Sequence, residues 1–241
     1  GGDSAAGETY VVFGKASGFA AAIDLATLDG TNGFRLDGID ASDFSGYAVS
    51  GAGDVNGDGF DDLIIGAFGA DPGGKLQAGE TYVVFGKADW SATASLDLST
   101  LDGTNGFQLE GIDPRDYSGR SVSGAGDVNG DGFADLIIGA YGGDPGGDSY
   151  AGETYVVFGK ADWSGTAVLN LSTLDGTNGF RVDGIDAGDI SGFFASAAGD
   201  VNGDGFADLI IGARGGDPGG NSEAGETYVV FGKANGFAAA L

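Results

Sequence analysis

The chain of 241 residues contains no cysteine, no histidine and no methionine. Without cysteine it forms no disulfide and supplies no thiolate, although this leaves its compartment open. Without histidine it lacks the commonest general base and metal ligand. No apolar run approaches the roughly 18 residues that a membrane helix needs, and no signal peptide is visible. Because the chain has no initiating Met and begins inside a repeat, we expect it to be processed or excised.

Basic residues are also scarce: 10 Lys and Arg stand against 36 Asp and Glu, for a formal net charge of −26. This charge disfavours nucleic acid and anionic membrane surfaces as partners. Apolar residues make up 41% of the chain, which is enough to bury a core. The 51 glycines show no collagen-like triplet period, so we expect them to serve turns.

One acidic stretch occurs three times. Residues 54–62 are Asp-Val-Asn-Gly-Asp-Gly-Phe-Asp-Asp, and residues 127–135 and 200–208 repeat them with Ala at the eighth position. Oxygen-bearing side chains occupy positions 1, 3, 5 and 9, the carbonyl of position 7 adds a ligand, and glycine at position 6 permits a sharp bend. Such a loop suits calcium, which takes roughly six to eight oxygens. The predicted metal ligands are Asp54, Asn56, Asp58, Phe60 and Asp62 in loop 1; Asp127, Asn129, Asp131, Phe133 and Asp135 in loop 2; and Asp200, Asn202, Asp204, Phe206 and Asp208 in loop 3.

The alternative is a solvated Asn-Gly or Asp-Gly turn, which needs no metal. Three copies that keep every oxygen position favour the metal loop. The loop is not an EF-hand, because position 12 holds Ile65, Ile138 or Ile211 where an EF-hand needs a bidentate Glu. Leu-Ile-Ile-Gly-Ala follows each loop and predicts a buried strand. We therefore expect about three calcium ions, one per loop, each at the start of a strand.

The loops begin at Asp54, Asp127 and Asp200, a spacing of 73 residues each time. A period of this size is typical of propellers, solenoids and other arrays. Ala-Gly-Glu-Thr-Tyr-Val-Val-Phe-Gly-Lys occurs four times and predicts a strand in each copy, and residues 33–38 and 106–110 predict further strands. Each whole unit is thus predicted to hold four short strands, with the metal loop between the first two, as in a propeller blade.

We therefore predict an all-β chain of propeller-like blades of four antiparallel strands, which forms a segment of a larger propeller or array. Residues 1–43 are a partial leading repeat with the third and fourth strands, residues 44–116 are repeat 1, residues 117–189 are repeat 2, and residues 190–241 are repeat 3 without its fourth strand. Small residues in the first strand, residues 45–50, suit the crowded axis of a propeller. These units are too few for a ring of about four to eight blades. Because residues 1–23 match residues 219–241, we expect head-to-tail continuation, within a longer polypeptide or by self-association.

Residues 53–67, from Gly-Asp-Val-Asn-Gly-Asp-Gly to Leu-Ile-Ile-Gly-Ala, followed by Gly-Glu-Thr-Tyr-Val-Val-Phe-Gly at residues 79–86, resemble the FG-GAP repeat of integrin α-subunit propellers. The resemblance covers about two thirds of each unit and implies calcium between the first two strands of a blade, on the ligands named above. The chain departs from the pattern in three ways. The family's Gly-Ala-Pro is Gly-Ala-Phe at residues 66–68, its Phe-Gly pair is Phe-Ser-Gly at residues 44–46, and the units are longer, mostly at residues 87–105 and 160–178.

Several other residues attract attention. Trp90 and Trp163 lie in the long connections, where each is expected to fasten a loop to a sheet rather than offer a carbohydrate-stacking surface. Residues 47, 120 and 193 differ between the units, as do residues 68, 141 and 214, which indicates exposure, either as a contact surface or by ordinary drift. Asp37, Asp40 and Asp43 form either a solvated acidic turn, the favoured interpretation, or a second cation site.

These features favour an extracellular or cell-surface protein with a structural or adhesive role, such as a filament, matrix or surface-layer component, in which calcium is structural. An integrin-like adhesion propeller, with an extracellular protein or a glycan as ligand, is the second hypothesis. The third is a non-catalytic propeller of a larger secreted enzyme. Because no nucleophile–base pair is evident, we expect no enzymatic activity. We expect calcium affinity on the order of 10⁻⁴ to 10⁻³ M, as in extracellular modules.

Overall fold

A computed structural model describes residues 4–241. These residues form fifteen strands and six single-turn 3-10 segments. No helix among them is long or apolar enough to cross a bilayer. The strands are β1 (Glu8–Val12), β2 (Gly33–Asp37), β3 (Ala48–Gly53), β4 (Asp62–Ala67), β5 (Glu80–Val84), β6 (Ser95–Asp97), β7 (Gly106–Glu110), β8 (Ser121–Gly126), β9 (Asp135–Ala140), β10 (Glu153–Val157), β11 (Val168–Asn170), β12 (Gly179–Asp183), β13 (Ser191–Gly199), β14 (Asp208–Ala213) and β15 (Glu226–Val230). The 3-10 segments are Leu25–Thr27, Pro72–Gly74, Leu98–Thr100, Pro145–Gly147, Leu171–Thr173 and Pro218–Gly220.

Each whole repeat forms one antiparallel sheet. Strands β3, β4, β5 and β7 pair in that order, and so do β8, β9, β10 and β12. Strands β13, β14 and β15 repeat the first three places, and β1 pairs with β2 as β5 pairs with β7. The prediction of an all-β chain with blades of four antiparallel strands is therefore confirmed. The four sheets do not close into a ring within the described part of the chain.

The long connections contain a strand that the sequence analysis did not predict. Strand β6 lies between β5 and β7 along the chain, yet it pairs in parallel with β2 of the preceding sheet. Strand β11 pairs in the same way with β7, and Ala240 forms a parallel bridge with Arg181 of β12. Two sheets are thus each widened by a strand from the unit that follows, and a third, which contains β12, receives a single bridge. The additional length of the units forms these connections to the preceding sheet.

The two tryptophans pack where the long connections meet the preceding sheet. The Trp163 ring is 3% exposed and stacks on Phe107 at 3.9 Å between centroids. Trp90 stacks on Phe34 at the same separation, and Phe237 stacks on Phe180 at 4.5 Å. The tryptophans therefore fasten the long connections to the preceding sheet, which confirms their expected role. Because the rings stack on Phe34 and Phe107, we do not interpret them as a carbohydrate-stacking surface.

Apolar side chains fill the spaces between neighbouring sheets. Successive residues of a strand face opposite sides, so Ile64 contributes to the cluster on one side of its sheet and Ile65 to the cluster on the other. Both isoleucines are at most 1% exposed. Burial on both faces explains why these strands are continuous apolar runs without alternation.

The first strands of successive units lie side by side, where small residues are needed. A Cβ atom on Gly124 of β8 would lie 2.8 Å from the carbonyl oxygen of Ala52 in β3. The hydroxyls of Ser123 and Ser196 are 3.5 Å apart across β8 and β13. The first strand of repeat 1 begins at Ala48, three residues later than the predicted segment at residues 45–50, but the small side chains serve the close packing that was expected.

Candidate metal loops

Each metal loop joins the first two strands of its blade, as predicted, because β3 ends before Asp54 and β4 begins at Asp62. In loop 1 the half-buried Asp54 carboxylate accepts hydrogen bonds from the N–H groups of Gly57, Asp58 and Gly59, at 2.7, 3.0 and 2.9 Å. Three converging amides require a tight coil. Gly57 and Gly59 permit it with φ values of 76° and 91°, which residues with a Cβ rarely adopt.

The next two predicted ligands lie on the same coil. The Asn56 side-chain oxygen accepts a hydrogen bond from Asp58 N at 2.9 Å, and Asp58 Oδ1 accepts one from Phe60 N at 2.9 Å. The Asn56 amide donates to Asp58 Oδ2 at 3.2 Å. Loops 2 and 3 repeat every one of these bonds. The three loops are therefore copies in structure as well as in sequence.

Position 9 has a different environment. Asp62 is fully buried, and its carboxylate accepts hydrogen bonds from Val55 N at 2.9 Å and Gly86 N at 2.8 Å. Asp135 and Asp208 make the equivalent bonds. Burial raises the pKa of Asp62 to about 6; the two amide donors oppose this rise, and the neighbouring Asp58 and Asp54 carboxylates add to it. Asp62 therefore ties the loop to its own blade.

The predicted ligands of each site thus share one loop, where they accept its internal hydrogen bonds. No three acidic side chains form a metal-binding group within residues 4–241. Oxygens at positions 1, 3 and 5 face the amides of their own loop, and position 9 lies behind it. A carboxylate has about four acceptor sites, so the bonded oxygens retain capacity for a cation. The kind, number and order of the donors fit calcium, and binding would exchange some amide hydrogen bonds for ligand bonds.

Among residues 4–241, no metal-loop carboxylate forms an ion pair. In the described residues, ion pairs are formed by Arg35, with Glu8 and Asp37, and by Arg181, with Glu153 and Asp183. None of these groups lies in a metal loop. Each loop therefore concentrates negative charge that a divalent cation would neutralise.

The acidic turn after β2, which contains Asp40 and Asp43, differs from the solvated turn that the sequence predicted. Asp43 is only 6% exposed, and its carboxylate accepts a hydrogen bond from Asp40 N at 3.1 Å. A solvated turn is therefore wrong for Asp43, because the following blade covers this residue. Asp116 and Asp189 occupy the same buried place, at 4% and 5% exposure. Burial raises the pKa of Asp43 to about 6 and that of Asp116 to about 7.

The positions that vary between units meet at the opposite end of the blades, near the start of the first strand and after the end of the second. The Arg120 guanidinium lies 4.1 Å from the Tyr47 ring centroid and 4.6 Å from that of Phe193. Tyr47 is half exposed and Phe194 is 66% exposed. We call this surface the aromatic strip; it comprises Phe44, Tyr47, Phe68, Tyr117, Arg120, Tyr141, Phe193, Phe194 and Arg214. The sequence suggested exposure here but carried no signal that residues from three units stack together.

Known proteins share this architecture. The FG-GAP repeat model matches residues 45–84, 118–157 and 193–230. Integrin alpha pat-2 of Caenorhabditis elegans is 33% identical over 169 residues, which cover 66% of this chain and 12% of that protein. Integrin alpha-5 of Xenopus laevis is 30% identical over 189 residues, covering 76% and 16%. Phosphatidylinositol-glycan-specific phospholipase D of Bos taurus is 32% identical over 168 residues, covering 70% and 18%.

The chain therefore spans less than a fifth of the length of these relatives. Each of the three matched segments contains one metal loop together with the strands on both sides of it. Sequence similarity and strand order thus agree, and we conclude that the chain contains three FG-GAP repeats, one around each metal loop.

Proposed function

We propose that the chain is a calcium-binding segment of an FG-GAP propeller with a structural or adhesive role outside the cell. The observation that carries the proposal is the metal loop itself, present three times with the same donors and the same internal hydrogen bonds. The loop carboxylates have no basic partner among the described residues. A filament, matrix or surface layer would use such near-identical units as modules.

Calcium would act as a structural ion in this role. It would neutralise the clustered carboxylates and hold the turn between the first and second strands of each blade. Because the ion binds only the folded loop, it stabilises the fold by mass action. Affinity on the order of 10⁻⁴ to 10⁻³ M suits an extracellular setting in which calcium is abundant.

Calorimetric titration with calcium tests the proposal. The expected stoichiometry is about three ions per chain, and Asp58→Ala, Asp131→Ala and Asp204→Ala should each remove one. Asp61→Ala is the matched control, because it replaces an exposed acid of loop 1 with the residue that loops 2 and 3 carry at the same position. Absence of calcium uptake by the wild-type chain would reject the proposal, as would the same loss of an ion in the control.

A second candidate is an adhesion propeller of the integrin type, which the aromatic strip and the two integrin relatives favour. An exposed surface that joins three blades would suit an extracellular protein or a glycan. Glycan and matrix-protein arrays probed with the wild-type chain, and with Phe194→Ala as the comparison, test this role. Signal that persists unchanged in the variant would exclude the strip as the binding surface.

The third candidate is a non-catalytic propeller within a larger secreted enzyme, suggested by the phospholipase D relatives. We propose that these residues carry no catalysis of their own. A hydrolase screen of the 241-residue chain tests this, and turnover that a substitution in the chain abolishes would refute it. We also propose head-to-tail self-association or continuation in a longer chain; the native mass of the purified protein distinguishes a monomer from an assembly.

A further inference from the structure

Successive metal loops contact one another directly. The Phe133 ring, at position 7 of loop 2, packs on Gly57 at position 4 of loop 1, so that a Cβ on Gly57 would lie 2.5 Å from Phe133 Cε1. Next to it, Ala134 N donates a hydrogen bond to the Asp54 carbonyl at 3.0 Å. The same segment of loop 2 therefore covers the first half of loop 1.

The contact recurs one unit later. The Phe206 ring packs on Gly130, and Ala207 N donates to the Asp127 carbonyl at 3.0 Å. The ring, the donor and the glycine occupy the same loop positions in both junctions. A contact that recurs with the same geometry belongs to the repeat and is not an accident of one surface.

A second bond from the following unit holds each loop at position 2. The Val55 carbonyl accepts a hydrogen bond from Lys160 N at 3.0 Å, and the Val128 carbonyl accepts one from Lys233 N at 2.9 Å. Both valines are fully buried. Val201, at the same place in loop 3, is 57% exposed and has no such bond in the described residues. Loops 1 and 2 are thus each held by a backbone hydrogen bond from the next unit.

We propose that Phe133 and Phe206 are positioning residues that couple neighbouring calcium loops, each ring acting on the loop before its own; this rests on the calcium binding proposed above. In loop 2 the predicted ligands at positions 7 and 9 flank Ala134, whose N–H holds Asp54. A cation in loop 2 orders this segment, and the ordered segment in turn fixes positions 1 to 4 of loop 1. Loop 1 then loses less conformational freedom when it binds its own ion.

Coupling of this kind is reciprocal, so calcium in loop 1 raises the affinity of loop 2 by the same factor. We expect a factor of about five or more, the lower end of measured couplings between sites. Calcium uptake should therefore be cooperative between adjacent loops.

Site-resolved calcium titration of the whole chain by NMR tests the proposal. The amides of Gly59, Gly132 and Gly205, at position 6, report each loop separately. Asp131→Ala removes a ligand of loop 2 and retains the Phe133 side chain, while it also removes the hydrogen bond from Phe133 N to Asp131 Oδ1; it should weaken loop 1 about fivefold. Phe133→Ala should weaken loop 1 by a similar factor, and in its presence Asp131→Ala should have no further effect on loop 1.

Matched variants distinguish coupling between the loops from a general loss of folded structure. Phe206→Ala should act on loop 2 as Phe133→Ala acts on loop 1, whereas Phe194→Ala, an exposed phenylalanine at the opposite end of the blades, should change no loop more than twofold. Should Phe133→Ala fail to fold, Phe133→Leu and Asp131→Ala test the same coupling between loops 1 and 2. Three loops that bind calcium independently would overturn the coupling and leave the proposed function intact. Absence of calcium binding would overturn both.

Discussion

Asp116 provides a direct test of how the blades bury charge. It lies in the turn between β7 and β8, is 4% exposed, and has one hydrogen-bond donor, Asp113 N, at 2.9 Å from Oδ2. Burial raises the pKa of Asp116 to about 7, with further upward contributions from the Glu153, Asp113 and Asp144 carboxylates; the Asp113 N–H opposes the rise. The folded protein thus binds a proton here that the unfolded chain releases near its ordinary pKa of 3.8.

The sign of the pH dependence follows from this difference. Between the unfolded and folded pKa values the folded state holds more protons, so stability falls as the pH rises through that window. From about pH 5 to pH 8, Asp116 alone should lower the free energy of unfolding by about 2 to 3 kcal/mol, at 1.36 kcal/mol per pKa unit. Asp116→Asn keeps an oxygen that accepts from Asp113 N but does not titrate. We expect the variant to be more stable than the wild type at pH 5 already, because the unfolded chain releases the Asp116 proton below that pH, and we expect its advantage to grow by about 2 to 3 kcal/mol between pH 5 and pH 8.

Urea denaturation with a chelator present measures both free energies without a contribution from calcium. Asp61→Asn, which replaces an exposed acid that does not contribute to the pKa of Asp116, is the control and should change stability by less than about 0.5 kcal/mol at either pH. Asp43 and Glu80 also have raised pKa values, so the wild-type slope persists in part and only the difference between the two proteins isolates Asp116. An Asp116→Asn protein that is no more stable than the wild type at pH 8 would refute the assignment of a buried carboxylate with a raised pKa.

Three further predictions concern the loops and their supports. Removing calcium from about 10 mM with a chelator should cost about 1.4 to 2.7 kcal/mol per site if the affinities are as proposed, and should lower the melting temperature by about 2–4 °C per kcal/mol in a calorimetric scan; an unchanged melting temperature contradicts structural calcium. Trp163→Ala should cost about 3 to 5 kcal/mol in urea denaturation, because it removes the ring buried against Phe107, and Trp163→Phe should recover part of this loss; equal costs would show that ring stacking is not what the site requires. Gly130→Ala and Gly203→Ala impose the same left-handed strain, at φ values of 75° and 79°, but only the first meets the Phe206 ring; stability measurements should therefore show the larger loss for Gly130→Ala, and equal losses would argue against the contact between loops.

The blade could be derived from the sequence because its signals are local. Residues 106–110 alternate as a strand should and form β7 within the same bounds. The apolar run after each loop predicted a buried strand, and Ile64 and Ile65 are buried on opposite faces of β4. The loops lie between the first two strands as their spacing indicated. Each of these inferences depends on residues within a few positions of one another.

The strand exchange between blades could not be derived in this way. Strand β11 has three residues, and its partner β7 lies in the preceding unit. Nothing in a three-residue segment, Val-Leu-Asn, specifies whether it pairs with its own sheet or with another. The tryptophan in the same connection suggested anchoring, but only the packed structure shows that Trp163 stacks on the preceding blade.

The same contrast between local signals and contacts between blades applies to the candidate sites. The sequence supplied the donors of the metal loops, since their types and intervals lie within nine residues. It did not reveal that Asp62 is buried behind its loop, that Asp43 is covered, or that Arg120 lies between two aromatic rings of other units. These environments depend on which surfaces the neighbouring blade covers.

The sequence by itself thus determined the repeat, the strands and the composition of each loop, because backbone propensity, side-chain alternation and ligand chemistry act over a few residues. Only the tertiary structure decided which blade each connection joins, which carboxylates lose contact with water, and which loops touch. Those outcomes depend on groups some 70 residues apart, as in the contact of Phe133 with Gly57, and they arise when one blade packs on the next.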